Sequence, residues 1–294
     1  MQRSKSLLND ENKRNIKRSW LKFSSNPLSA FGLLSVILVI FLAIFSPWVA
    51  PYPESWARWV DFQNALKAPS LQHPFGTDVF GRDVMSRVFF GFRYDLLMAV
   101  LILVMVVPTG TVVGLIAGYY RGSIIDTVIM RITDIFLAIP SIVLALAICA
   151  MLEPSLFNSM MAVSVLWWPW YSRLAYGIAS SLKNEYFVQA AELTGASTSH
   201  ILFKEILPNC ISPIFTKMTL DVGWVILIGS TLSFVGLGAQ EPIPALGNMV
   251  AAGTKYMPDY WWMTIFPALA IAFTILGFNL LGDGLRDLLS VEEI

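Results

Sequence analysis

The chain has 294 residues, of which 56% are hydrophobic and only 14% charged, and its basic and acidic side chains balance to a formal net charge of zero. Soluble domains carry about 25% charged residues, so this chain has too little polar surface to cover a soluble core of its size. The composition excludes an ordinary soluble enzyme, implies no general attraction to nucleic acid, and points to a polytopic membrane protein.

A membrane span needs about 20 mostly apolar residues. Six segments qualify: 28–48, 96 to about 120, 128–152, 157–179, 214 to about 237, and 262–281. The first follows a charged lead too long for a signal peptide and is expected to stay as an anchor. The third is interrupted by Asp134 and Pro140, and the fourth holds Trp167, Trp168, Pro169 and Trp170. Such interruptions are tolerated where neighbouring helices satisfy the freed backbone groups. Six spans put both termini on one side. Basic residues set the orientation: 14 lysines and arginines fall on the side of the N-terminus and 6 on the other. Both termini are therefore expected in the cytoplasm.

The expected organisation is a cytoplasmic tail (1–27), a first span with an extracytoplasmic loop (28–93), a core of five spans (94–289) and a short cytoplasmic tail (290–294). Within the core, residues 181–212 form a cytoplasmic loop between the fourth and fifth spans. Its alanines and long side chains favour a first helix. Gly195 stands where a helix C-cap needs a left-handed residue. Ser197, Thr198 and Ser199 offer N-cap oxygens for a second helix, 200–207, which Pro208 is expected to end. Phe187, Ala190, Ala191, Ile201, Leu202 and Ile206 are its apolar positions, to be covered by a partner protein or by the chain's own spans.

The order Gln189, Ala190-Ala191, Gly195, then Ile206-Leu207-Pro208 resembles the EAA loop of bacterial ABC-importer permeases. Four further segments agree: HPFGTDVFGRDVMSR (73–87), RITDIFLAIPS (131–141), TLSFVGLGAQEPIPALGNM (231–249) and FNLLGDGLRDLL (278–289). Together they resemble the dipeptide, oligopeptide and nickel permeases, within them the "C" type subunit. The resemblance implies an all-α polytopic fold of six transmembrane helices, the type I ABC-importer permease fold, in which the loop is a coupling helix docking on an ATPase. Gln189 departs from the family's usual glutamate. The implied partners are a sister permease, two P-loop ATPase subunits and an extracytoplasmic solute-binding protein in the cytoplasmic (inner) membrane. Peptides are the substrate expected first, with nickel or metal chelates and oligosaccharides as alternatives.

No Gly-Lys dipeptide occurs in the chain, so a phosphate-cradling loop of the G-x-x-x-x-G-K-[ST] kind is absent. ATP and Mg are expected on partner subunits, with no cofactor, metal or catalytic residue in this chain. Cys149 and Cys210 read as apolar packing residues, and His73 and His200 stand too far apart to suggest a metal site. A channel or ion-coupled carrier would need titratable groups in the central halves of the spans, where the sequence places none, and an assembly factor without transport is the remaining alternative.

Asp134 and Asp221 lie in the cytoplasmic portions of their spans. Each is expected to pair locally, Asp134 with Arg131 and Asp221 with Lys217, or to line the translocation path. The charged outward segment 76–93 is expected to stitch down an interfacial helix rather than to contact the binding protein. Gly229, Ser233, Gly236 and Gly238 are expected to permit close helix packing, and the tryptophan cluster to pack in the core.

Overall fold

A computed structural model of the chain describes residues 23–56 and 59–289. Most of the expected N-terminal tail, with Arg3, Lys5, Lys13, Arg14, Lys17, Arg18 and Lys22, lies outside the described residues, as do Arg58 and the C-terminal tail 290–294. Among the described residues the protein is helical and carries no β-strand beyond one isolated bridge, Thr77 to Asp83.

Helix α1 (Pro27–Val49) starts at Asn26, whose side chain accepts from the Leu28 N–H at 3.0 Å. A loop with two short 3-10 turns leads to α2 (Val84–Tyr119), which begins ahead of the expected second span. Its 36 residues extend about 54 Å at 1.5 Å per residue, more than the thickness of a hydrocarbon core. Asp83 caps it, accepting from the Ser86 N–H at 2.7 Å.

The expected third span is not one helix. Helices α3 (Ile124–Ala138) and α4 (Ser141–Ala150) meet at an 85° bend. The cause is Pro140, which has no N–H to donate and drives Ile139 into an extended conformation (φ −96°, ψ 131°). Helix α5 (Leu156–Leu182) carries the fourth expected span. Among the described residues four helices are long and apolar enough to cross a membrane, or five if the bent pair counts as one. The 27-residue α5 is long enough but is not among them. Its three tryptophans and its serines depress its hydropathy.

Helix α6 (Tyr186–Leu193) is the first helix of the polar loop. The second does not end at Pro208. It runs on as a single helix, α7 (Thr198–Phe234), through a π-helical turn at Ile201–Ile206. There the Leu207 N–H reaches the Leu202 carbonyl, one residue further back than in an α-helix. In α geometry the Pro208 ring would press on the carbonyl four residues earlier; the wider turn relieves that pressure just before the proline. Helices α8 (Leu246–Thr254) and α9 (Trp262–Leu289) complete the chain.

Close packing rests on glycines. Gly110, Gly114 and Gly118 form a stripe at four-residue spacing on α2. A Cβ on them would lie 2.4 Å from the Trp168 carbonyl oxygen, 2.2 Å from that of Ser172 and 2.7 Å from the Ala179 Cβ, so α2 and α5 touch backbone to backbone. Small residues allow such approach where no hydrophobic drive separates helix from lipid. Helix α1 lies against α9 in the same way, since a Cβ on Gly32 would lie 2.6 Å from the Leu281 N, and it turns Leu34, Ile37 and Ile44 outward. Of the small residues expected to permit close helix packing, Gly229 faces the flexible end of Met98, Gly238 folds back on Ser233 past the end of its own helix, and Gly236 takes a left-handed turn (φ +88°) with open space around it.

Candidate functional site

The two ends of α2 carry different clusters of side chains. At its Tyr119 end sits the polar hairpin. Helix α6 closes on Gly195 at φ +82°, where the Gly195 N–H reaches the Glu192 carbonyl at 3.0 Å and the Ala196 N–H the Ala191 carbonyl at 3.0 Å. That pair of bonds is the Schellman motif. Ser197 then caps α7, accepting from the His200 N–H. The turn is built by hydrogen bonds rather than left loose.

The hairpin is two-faced. Val188, Ile201, Leu202 and Ile206 are buried against the chain's own core, with Ala191 and Leu207 packed beside them. Tyr186 and Leu193 are 87% and 89% exposed, and Phe187 and Phe203 are exposed as well. Of the two covers expected from the sequence, the chain's own spans take the inner face, and the outer face is open surface. Gln189 donates to the Asn184 carbonyl at 3.0 Å and is exposed beside Ala190, while Pro208 is exposed at the start of the long helix. The Tyr119 hydroxyl donates to Glu192 Oε1 at 2.8 Å, and the Lys183 ammonium sits 5.5 Å above the Tyr119 ring. Nothing in the sequence signalled this tie between α2 and α6, whose residues lie 73 apart.

Asp221 and Lys217 pair at 3.1 Å on one face of α7, as their four-residue spacing predicts. The second oxygen of Asp221 accepts from Trp167 Nε1 at 3.0 Å. The pair borders a cavity of about 620 Å³ that Pro140, Trp170, Trp224 and Thr231 also line. Asp134, by contrast, does not pair with Arg131; its partner is Arg173 on α5, because neighbouring helices bring Arg173 closer than the three-residue spacing along α3 brings Arg131. Asp134 is absent from the lining of that cavity. Of the tryptophans, Trp167 is buried, Trp168 packs edge-on against Phe136 at 5.8 Å, and Trp170 is exposed.

At the Val84 end the charged segment 76–93 folds into an ion network. Arg82 binds Asp78 at 2.7 Å and Glu241 at 2.9 Å, and Arg87 reaches Glu241 at 3.3 Å. Asp83 holds His73 Nδ1 at 3.0 Å while capping α2. The bonds tie the segment to itself and, through Glu241, to the loop before α8, a link that the sequence does not signal. Burial alone would raise the Glu241 carboxyl; the Arg82 hydrogen bond and the charges of Arg87 and Arg82 overcome that and hold it below its ordinary value. Asp95 was also missed. It is buried inside α2, faces the Leu246 N–H at the start of α8, and keeps one oxygen without a protein partner. Ala245, at the α8 N-cap, makes no side-chain cap bond, so the Asp95 carboxyl is the acidic group set against that helix start.

Residues 110–291 match the family described as the binding-protein-dependent transport system inner membrane component, and residues 15–74 match the N-terminal membrane domain of oligopeptide transport permease C. The chain belongs to the binding-protein-dependent transport permeases. It is a multi-pass inner-membrane component of an ABC importer, and such permease subunits are not themselves enzymes; the family works with a partner permease, ATPases and a binding protein. The chain is 41% identical to the probable D,D-dipeptide transport system permease of Escherichia coli over 93% of this chain and 90% of that one. It is 40% identical to the dipeptide transport system permease of Alkalihalophilus pseudofirmus, over 93% and 88%. It is 42% identical to a glutathione transport system permease of Escherichia coli, over 92% and 88%. In fold it is similar to a chain of the MetNI methionine ABC transporter in inward-facing conformations, with a TM-score of 0.56, 19% identity, and coverage of 69% of this chain and 97% of that one.

Proposed function

We propose that this permease forms, with a sister permease, the translocation path of an ATP-driven importer of short peptides, and that its hairpin docks on the ATPase. The relatives named for dipeptide and glutathione transport support the substrate class. The observation that carries the docking is the split face of α6. Val188 is fully buried against the spans while Tyr186 and Leu193 stand almost fully exposed on the same eight-residue helix. A short helix fixed inward by packing and capped at its C-terminal end suits the transmission of a rigid-body movement. The coupling residues are Gln189, Ala190, Ala191, Gly195, Ile206, Leu207 and Pro208; Asp221 borders the path, and Asp134 holds α3 to α5 beside it.

ATP and Mg bind on the two ATPase subunits, and an extracytoplasmic binding protein delivers solute at the Val84 end. The hairpin and both termini face the cytoplasm, with α5 and the bent α3–α4 pair supplying the remaining crossings of a six-span plan. The division into tails, first span with its outward loop, and five-span core from residue 94 goes with that plan. The test is uptake into proteoliposomes holding the complex purified from its native membrane. Labelled dialanine should accumulate only with ATP inside and binding protein outside. Accumulation without either would replace the importer with a channel or carrier.

A further inference from the structure

We infer that Lys217 is a receiving group for the C-terminal carboxylate of a peptide in passage, held ready by Asp221 and two aromatic rings. The inference rests on the peptide reading above and adds to it a site inside the membrane part of the machine.

The Lys217 ammonium bonds Asp221 Oδ1 at 3.1 Å and lies 5.7 Å over the Trp170 ring and 5.3 Å over the Tyr171 ring. An ammonium carries three donors and no acceptor. One donor is spent on Asp221, and the ring faces add attraction for the cation without consuming the other two. The Asp221 side chain is only 4% exposed and has both oxygens engaged, by Lys217 and by Trp167. It is thus a fixed counter-charge rather than an open ligand. Lys217 is 26% exposed and lines the cavity of about 620 Å³, so the cation is the member of the pair that an entering solute meets.

The rest of the lining is chiefly apolar, with Trp224, Leu227, Ile228 and the Pro140 corner of the α3–α4 bend. A carboxylate entering such a space loses water and gains most from a cation that is already partly desolvated. The ion pair carries no net charge, so a zwitterion adds no uncompensated charge to the membrane interior. Side chains of varied size rest on indole faces and aliphatic carbons that impose no directional demand. That combination fits a solute class defined by a common carboxyl end and variable side chains.

The test uses the complex purified from its native membrane, in lipid nanodiscs without binding protein, irradiated with alanyl-benzoylphenylalanine. Label should map to segments 167–170 and 217–231 of this chain. Excess dialanine should abolish it, and dialanine amide, which lacks the carboxylate, should leave it in place. K217Q should reduce labelling about tenfold or more, and K217R should retain it. Because the competition is read on the unaltered protein, it stands even if K217Q does not fold. Label confined to other segments, or equal competition by the amide, overturns the site. ATP-driven dialanine uptake by the same complex in liposomes separates the two readings: uptake with label elsewhere leaves the peptide importer standing and removes only Lys217. No uptake and no label removes both.

Discussion

Replacing Gly114 by alanine tests whether the α2–α5 contact is the rigid spine of the molecule. The new Cβ would lie 2.2 Å from the Ser172 carbonyl oxygen and 2.9 Å from the Ala175 Cβ. Ordinary contact begins near 3.4 Å, so the helices must part by about 1.2 Å at that level. Neither neighbour is the end of a flexible side chain, and the Gly110 and Gly118 contacts on either side resist the same separation. Overpacking of this kind costs about 1–3 kcal/mol. With a shift of about 2–4 °C per kcal/mol for large domains, a cost in the middle of that range, about 2 kcal/mol, should lower the melting temperature of G114A by roughly 4–8 °C. Gly177 supplies the control. It lies in α5 with nothing within 4 Å of its added Cβ, and alanine is the better helix former by about 0.8–1 kcal/mol. Thermal unfolding of the purified complex, followed by loss of monodisperse protein, should rank G177A at or above the wild type and G114A well below it. Equal melting of the two variants would refute backbone-to-backbone packing of α2 on α5.

Gly195→Ala should act on coupling rather than on assembly. Its φ of +82° costs an L-residue about 1–2 kcal/mol, yet no atom lies within 4 Å; ATPase stimulation by loaded binding protein should fall while the complex still co-purifies. Glu241→Gln should lower the melting temperature by a few degrees at neutral pH, since it leaves the buried Arg82 and Arg87 with a weaker partner. The acid profile should change with it. The folded carboxyl sits below its ordinary 4.5, so its contribution is fully present above about pH 4.5 and is lost as pH falls below that through the depressed value; that part of the acid destabilisation should vanish in E241Q. Asp95→Ala removes the carboxyl that faces the start of α8 and should cost about 1 kcal/mol, read as faster hydrogen exchange at the Leu246 and Gly247 amides; unchanged exchange would remove Asp95 from any capping role.

Much of this was legible along the chain because it is local. The Gly195 turn, the Ser197 cap and the Lys217–Asp221 pair each lie within a few residues, and local geometry decides them. The proline effects were legible in kind but not in outcome. Pro140 breaks its helix into an 85° corner, whereas Pro208 is absorbed by a π-helical turn, and which happens depends on how the backbone before it can widen. Contacts between distant segments were not legible. Arg82 and Glu241 are 159 residues apart, and Asp134 pairs with Arg173 across helices rather than with Arg131 along its own. Asp95 carries no sequence signal because what it faces is the backbone at the start of another helix.

The central claim, that the exposed face of α6 is the docking point for the ATPase, is tested most directly by a cysteine at Leu193, 89% exposed at the tip of that helix. The native Cys149 and Cys210 are buried and give little background. In inside-out membrane vesicles containing the assembled importer, a short bifunctional reagent should join Leu193→Cys to an ATPase subunit, with a yield that changes when ATP binds. An ATPase that co-purifies with the chain but is never joined through Leu193, while cysteines elsewhere on the cytoplasmic surface are, would contradict the account.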